Sequence, residues 1–571
     1  MSLKKEKGHI KKIKIMEQVK IYCRNTGEYK NYPMGTTLEK ILEDQEVDNK
    51  KEVVCALVNN KCESLSYSVF HPKDVEFMDV HTKTGRRTYI RTLCMVMAKA
   101  THDLYPTAQL FFEHPLSKGY FCNLIFQDGT PVSDDIISKI QKRMHELIEQ
   151  KLPIKSHEMQ KEAVLRLFKE RREEEKVNLL KSMNITYAQF YEIDGYYDFY
   201  NTTLMVNTGE LSNNFNLFKY DIGIFLQVPK KENLTILEPF ENQPKMYQAF
   251  KQNLQLQQIL GINNIGDLNE LTRRGEVYSL IKIAEALHEK QIVRIADSIC
   301  KEMDTTKFIM ISGPSSSGKT TFSKRLTVQL LAAGVKPITI SLDDYFIDRE
   351  RTPKDENGEY DYESLYALDL DFFNEQLQAL LSGKEVSLPT YDFASGKRLF
   401  KGNNVQLKEN NIVMMEGIHA LNPALTPSVA ETAKFKIYVS ALTTISLDDH
   451  NWISTTDNRL IRRIVRDYKY RGNTVQNTIA RWESVRDGEK KWIFPYQENA
   501  DVMFNSALIF ELAALKNYVL PMLQTVPRNS KEYAEVHHLM KFLHCITPIS
   551  NRDIPSTSLL REFLGGSSFK Y

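Results

Sequence analysis

The chain has 571 residues, 42% of them hydrophobic and 26% charged, enough apolar material for several buried cores and too much for wholesale disorder. With 75 Lys and Arg against 73 Asp and Glu, it carries no bulk charge that would coat a polyanion. Its seven cysteines are scattered and include no C-x-x-C, which points to a reducing cytoplasm rather than a disulfide framework.

No apolar run approaches the ~20 residues that span a bilayer. The N-terminus (MSLKKEKGHIKKIKI) is basic but lacks the apolar stretch of a secretory signal. No membrane partner is therefore expected. Residues 17–80 read as a small α/β unit, with strands at 19–22, 29–33, 53–58 and 75–78. Thr36 and Thr37 are placed to cap a helix through 38–42. Residues 81–235 read as a second α/β unit. It has a helix over 91–103 and another, capped by Ser133, whose apolar face carries Ile136, Ile140, Met144, Leu147 and Ile148. The charged run at 169–176 (KERREEEK) reads as a solvated helix.

Residues 243–303 are helical in pattern, with Leu254, Leu256 and Ile259, then Leu280, Ile283, Ala284 and Leu287. They read as a connector packing one half onto the other. Residues 304–530 alternate apolar strands with helices, which predicts a doubly wound parallel sheet. Residues 531–571 begin with a helix over 536–543 and end in a Ser/Thr/Gly-rich tail.

The strongest motif is Gly313-Pro314-Ser315-Ser316-Ser317-Gly318-Lys319-Thr320, a G-x-x-x-x-G-K-[ST] match followed by Thr321. A short apolar strand (KFIMIS) precedes it and an amphipathic helix follows. Phosphate chemistry needs that order: glycines let backbone N–H groups converge on oxygens, and the helix start adds partial positive charge. Lys319 would reach the β- and γ-phosphates and Thr320 would hold Mg²⁺. A nucleoside triphosphate is thus expected. The absence of an N-K-x-D guanine reader in this region favours ATP.

The next strand (KPITISL) delivers Asp343-Asp344-Tyr345-Phe346 at its C-terminal edge, where such sheets bind ligands. A carboxylate there can take the proton of an attacking hydroxyl or share in the metal shell. Another buried strand (NIVMM) ends in Glu416, suited to Mg²⁺. Further on, Asp457-Asn-Arg459-Leu-Ile-Arg462-Arg463-Ile-Val-Arg466-Asp467 repeats arginines at helical spacing, so they can gather on one face.

Taken together, SGPSSSGKTT, SLDDYF, YDYES, LPTYDF, MMEGIHAL and DNRLIRRIVRD resemble, in order, the uridine kinase/phosphoribulokinase family of P-loop kinases, over residues 308–512. The resemblance implies Asp343 as catalytic base, Lys319 and Arg462 as catalytic charges, and Glu416 as metal ligand beside Thr320 and Asp343. It implies Asp361 on ribose hydroxyls, Tyr391 in the acceptor pocket, and Arg459, Arg462 and Arg466 in a mobile lid. Uridine–cytidine kinases carry a base-reading histidine where Gly396 stands here, so pyrimidine specificity does not follow. The segments WESVR (482–486) and FPYQE (494–498) resemble a bacterial nucleoside kinase subgroup.

The front half carries a more diffuse resemblance. Residues 17–80 resemble the ubiquitin-like TGS domain of threonyl-tRNA synthetases and some GTPases. Residues 81–235 resemble the adjoining α+β editing domain, through LYP (104–106), KGYF (118–121) and IQKRMH (140–145). That editing centre needs H-x-x-x-H and C-x-x-x-H; the matching positions here are Arg91, Met95, Val206 and Glu210, so neither metal nor ester hydrolysis is expected. His102 lies nearby on another helical turn and reads as a surface residue. A tRNA, a regulatory ligand or a second copy of the chain is an expected partner for this half.

Overall fold

The computed structural model describes residues 18–355, 358–392, 395–408 and 410–570. The basic N-terminal stretch, Phe393 and Ala394 beside Tyr391, and Tyr571 lie outside the described residues.

Gln18–Cys23 (β1) and Glu28–Pro33 (β2) form an antiparallel hairpin. Thr37 then caps the helix Leu38–Asp44 (α1), its side chain accepting from the Lys40 N–H. Val53–Val58 (β3), Lys61–Glu63 (β4) and Lys73–Asp79 (β5) complete a sheet of order β2-β1-β5-β3-β4. Only the β1–β5 pair is parallel. The helix expected at 91–103 begins earlier, running Lys83–Leu104 (α2) from a Thr82 cap. It is buried from Thr88 to Thr101 and forms the spine of the front half.

Gln109–Leu116 (β6) and Gly119–Ile125 (β7) precede the helix Asp134–Glu149 (α3), which Ser133 caps and which buries the apolar face read from its spacing. Next come Ile154–Gln160 (β8), Lys161–Glu170 (α4) and Glu174–Ser182 (α5). Tyr187–Ile193 (β9), Tyr196–Asp198 (β10), Asn216–Tyr220 (β11) and Gly223–Gln227 (β12) follow. These strands make two antiparallel sheets, β8-β9-β10 and β11-β12-β7-β6.

The charged run at 169–176 is not one solvated helix. The chain breaks between α4 and α5, with Arg172 at φ 61°, and Lys176 is fully buried. Its ammonium meets Asp449 at 2.7 Å, Glu173 at 3.0 Å and Asp198 at 3.3 Å. A buried ammonium is tolerable only with such partners, and one of them comes from a loop 273 residues downstream.

Three connector helices follow: Pro244–Leu260 (α6), Ile265–Arg274 (α7) and Val277–Lys301 (α8). The apolar face of α6 differs from the expectation. It buries Met246, Tyr247, Ala249 and Phe250, whereas Ile259 is exposed, because its first turns are the ones seated on the C-terminal half. Ile283 is exposed as well, while Leu280 and Ala284 are buried.

The C-terminal half is built on a five-stranded parallel sheet. Its first members are Phe308–Ser312 (β13), then after the helix Lys319–Ala332 (α9), Lys336–Ser341 (β14). The helix Leu370–Leu381 (α10) and the hairpin Val386–Asp392 (β15) with Lys397–Val405 (β16) stand beside it. Asn411–Glu416 (β17), Lys434–Ser440 (β18), the helices Thr455–Tyr470 (α11), Val475–Ala480 (α12) and Trp482–Trp492 (α13), and Val502–Asn505 (β19) follow. The sheet order is β14-β17-β13-β18-β19. Register places Ile311 and Ser341 opposite Glu416, so the loops after three neighbouring strands converge on one edge.

Glu511–Leu523 (α14) and Tyr533–His544 (α15) lead to a tail that is packed: Leu559, Leu560, Phe563 and Leu564 around the short helix Arg561–Leu564 (α16) are buried. One hydrophobic core joins Leu179 and Phe190 of the front half to Ile445, Ile461 and Val465 of the back.

Candidate active site

The glycine loop runs from the end of β13 into α9, as the motif predicts. Gly313 is required by proximity: a Cβ there would fall 1.9 Å from the Val439 carbonyl oxygen. Lys319 is nearly buried and its ammonium donates to the Gly313 and Pro314 carbonyls, at 2.9 and 3.2 Å. The hydroxyl oxygens of Ser316 and Ser317 are buried without partners among the described residues. Orphaned hydroxyls beside a buried ammonium fit a phosphate-bearing ligand, because each such group costs free energy until something accepts from it.

At the C-terminal edge of β17, Glu416 lies 3.4 Å from the Thr320 hydroxyl, which donates to it. Burial pushes the Glu416 carboxyl up to about 7, the Lys319 ammonium opposes this, and the charge of Asp343 adds to it. A carboxylate so crowded by other acids gains from a divalent cation, so Thr320 and Glu416 fit a Mg²⁺ site. Asp343, in the turn after β14, is exposed, and its charge is felt by Glu416. Its neighbour Asp344 does something else: it accepts from the Tyr391 N–H at 3.0 Å and holds β15 in place.

Asp361 spends one oxygen on the Glu363 N–H at 3.1 Å. Glu363 was missed in the sequence. Its carboxyl is pushed up to about 7 by burial, with Arg463 opposing, and it senses both Lys319 and Asp343. Tyr391 is buried against Phe346, ring centroids 5.6 Å apart. Gly396 has φ +69°, and a Cβ there would come within 2.8 Å of the Arg349 side chain. Backbone conformation as well as space therefore disfavours a histidine at this position. The Arg349 guanidinium fills that space instead.

The arginine helix departs from a mobile lid. Arg459 and Arg462 are almost wholly buried and lie under the glycine loop. Arg459 donates to the Ser315 carbonyl at 3.1 Å and pairs with the fully buried Glu489. Arg462 donates to the Ser506 carbonyl at 2.9 Å and pairs with Glu511 at 2.5 Å. Their charges are already met by carboxylates, so they brace the loop from below. Arg466 pairs with Asp467 at 2.8 Å. Arg463 donates to the Ser315 hydroxyl at 2.8 Å and also pairs with Asp467 at 3.3 Å. Glu489 also accepts from the Ser315 N–H at 3.1 Å. These partners lie 30 to 174 residues from what they bind, and the nearest signal was the WESVR segment just before Glu489.

The tail contributes one more group. Glu562 accepts from the Thr321 hydroxyl at 2.6 Å and from the Thr321 N–H at 3.3 Å. A carboxylate thus sits on the first turn of α9, where N–H groups favour anions.

In the front half, Arg91 and Met95 are both buried along α2. Arg91 donates to the His450 and Trp452 carbonyls at 2.9 and 2.8 Å, tying α2 to the back half. His102 is exposed, its ring beside that of Tyr196. No helix among the described residues is long and apolar enough to cross a membrane.

A parallel sheet of this order with a phosphate loop at its edge defines a P-loop kinase fold. Residues 308–510 match the Phosphoribulokinase / Uridine kinase family. A uridine kinase of Staphylococcus aureus (strain JH9) is 31% identical over 202 residues, covering 35% of this chain and 88% of that protein; the enzyme of strain Newman gives the same figures. A solved structure described as a possible uridine kinase from Bacillus stearothermophilus aligns over 37% of this chain and 98% of its own. It does so at 20% identity and a TM-score of 0.25. The chain belongs to the phosphoribulokinase/uridine kinase family through this C-terminal third. Membership makes it a phosphotransferase and implies ATP use, typically with Mg²⁺.

Proposed function

We propose that the chain transfers the γ-phosphoryl group of ATP to a hydroxyl of a small acceptor of the nucleoside class. Convergence of Lys319, Thr320, Glu416 and Asp343 on one sheet edge carries this reading. Asp343, exposed at the cleft, takes the proton of the attacking hydroxyl. Lys319 leaves its loop carbonyls for the phosphates, and Arg463, at the Ser315 hydroxyl, adds charge beside them. Mg²⁺, when bound, would supply charge neutralisation, and Thr320 with Glu416 would hold it. Arg459 and Arg462 keep the loop's shape. Asp361 and Tyr391 are assigned to the acceptor.

A second reading, an acceptor without a pyrimidine edge, is favoured by Gly396 and by Arg349 packed over it. We assign residues 17–80 to a TGS-like unit, which the strand order β2-β1-β5-β3-β4 around α1 supports, and 81–235 to an editing-like unit without its metal ligands. Residues 243–303 then form the connector, 304–530 the kinase domain and 531–571 the closing helix and tail.

The test is ATP consumption by the full chain over a panel of nucleosides and sugars. At least one should stimulate turnover, and Lys319→Ala should remove that stimulation by a factor of roughly 10²–10³. Stimulation that survives in Lys319→Ala refutes the reading.

A further inference from the structure

One opening in the molecule lies away from the kinase cleft. It is a cavity of about 590 Å³ between α2, the 447–454 loop, the starts of α11 and α13, and α15. Eight lysine and arginine side chains line it against four carboxylates. Part of that charge is internal: Lys83 and Arg87 pair with Glu535, and His538 pairs with Asp457. Arg86, Arg91, Lys231 and Lys531 have no carboxylate partner among the described residues. One nitrogen of Arg86 is buried with no acceptor among those residues.

The rest of the wall is aromatic. Trp452 lies between the Arg91 guanidinium, 3.1 Å from its ring centroid, and Tyr120, whose ring is 4.9 Å away. Trp482 is 3% exposed, lines the cavity, and its indole N–H has no partner among the described residues. Surplus cations, flat apolar walls and unmet donors together suit a ligand that is both anionic and planar. A volume of this size suits a small molecule better than a polymer.

We propose that this cavity is a second binding site for a nucleoside phosphate, and that it speaks to the phosphate loop. Two helices join the sites. α11 presents Asp457 to the cavity and, within two turns, Arg459, Arg462 and Arg463 to the loop. α13 presents Trp482 to the cavity and Glu489 to the Ser315 N–H. An occupant that shifts either helix alters the loop's support and so the apparent affinity for ATP. Binding itself does not depend on the kinase assignment.

The experiment titrates the full chain with UMP and AMP and reads tryptophan emission, since two of the three tryptophans line the cavity. We expect a saturable change with at least one of them and none with uncharged uridine. Arg86→Ala should weaken it about tenfold or more, whereas Lys319→Ala, which cripples the phosphate loop, should leave it within about twofold. Lys531 is exposed, so Lys531→Ala keeps the fold and should weaken binding in the same direction. Absence of any saturable response to either nucleotide overturns the proposal. So does a response lost in Lys319→Ala but retained in both Arg86→Ala and Lys531→Ala, which would place the nucleotide in the kinase cleft alone.

Discussion

Two clusters of buried charge organise this protein, and they are built differently. At the phosphate loop, Lys319, Glu416 and the serine hydroxyls stand near each other with bonds left to make. Where the halves meet, Lys176 is enclosed by Asp198, Asp449 and Glu173, and His450 by Asp198 at 2.7 Å, with their bonds already made. A cluster that is incomplete is arranged for a ligand; one that is complete holds structure.

The sharpest way to break this comparison is Asp343→Asn. Turnover should fall by roughly 10²–10⁴-fold, the usual worth of a positioned general base, while thermal stability stays put. Acceptor-stimulated turnover at the wild-type rate would remove Asp343 from the chemistry. Lys176→Met should do the reverse. Stripping one partner from a buried ion cluster costs about 3–5 kcal/mol, to be read by denaturant unfolding, with Lys319-dependent turnover retained in whatever remains folded. Unchanged stability would mean that the junction is not held by charge.

A smaller effect sharpens the same contrast through pH. Burial works against the His450 imidazolium, but the Asp198 carboxylate outweighs it and holds the group up at about 9. A raised folded value means the protonated form is the stabilising one. Its contribution is whole below pH ~6.5 and fades as pH rises through about 9. From pH 7 to 9.5 the wild-type Tm should therefore drop by about 2 °C more than that of His450→Asn. Parallel curves for the two proteins would dismiss the histidine. Glu416 has the opposite leaning: held at about 7, it is increasingly protonated below neutrality. The Mg²⁺ concentration for half-maximal turnover should accordingly rise as pH falls from 7.5 to 6, and a flat dependence would count against Glu416 as a ligand.

How legible each region was follows from chain distance. The glycine loop, Thr320 and the strand-end acids Asp343 and Glu416 are short-range consequences of phosphate chemistry, and their residue types appear in a fixed local order. Strands β13, β14 and β17 were read from their apolar runs for the same reason. What stayed hidden is pairing across the chain. Nothing near Arg459 or Arg462 announces that Glu489 and Glu511 will neutralise them, so helical spacing gathered them on one face and the family resemblance placed them in a mobile lid. Likewise KERREEEK looks solvated until Asp449 arrives to meet Lys176. In the front half, helix caps at Thr37 and Ser133 were plain, but the role of Arg91, gripping carbonyls of another region, has no local signature.

The contact between Glu562 and Thr321 has a kinetic corollary. The two groups are 241 residues apart in sequence, yet they are tethered in one molecule, so the carboxylate competes at a high effective concentration for donors that an incoming anion would use. Sulfate or a stray carboxylic acid, offering no more than Glu562 already does, gains little by displacing it. A triphosphate also recruits Lys319 and the unpaired serines, and only a guest that replaces every lost bond with several new ones can evict the incumbent. The chain's own tail thus sets an entry threshold that screens visitors by how many hands they bring.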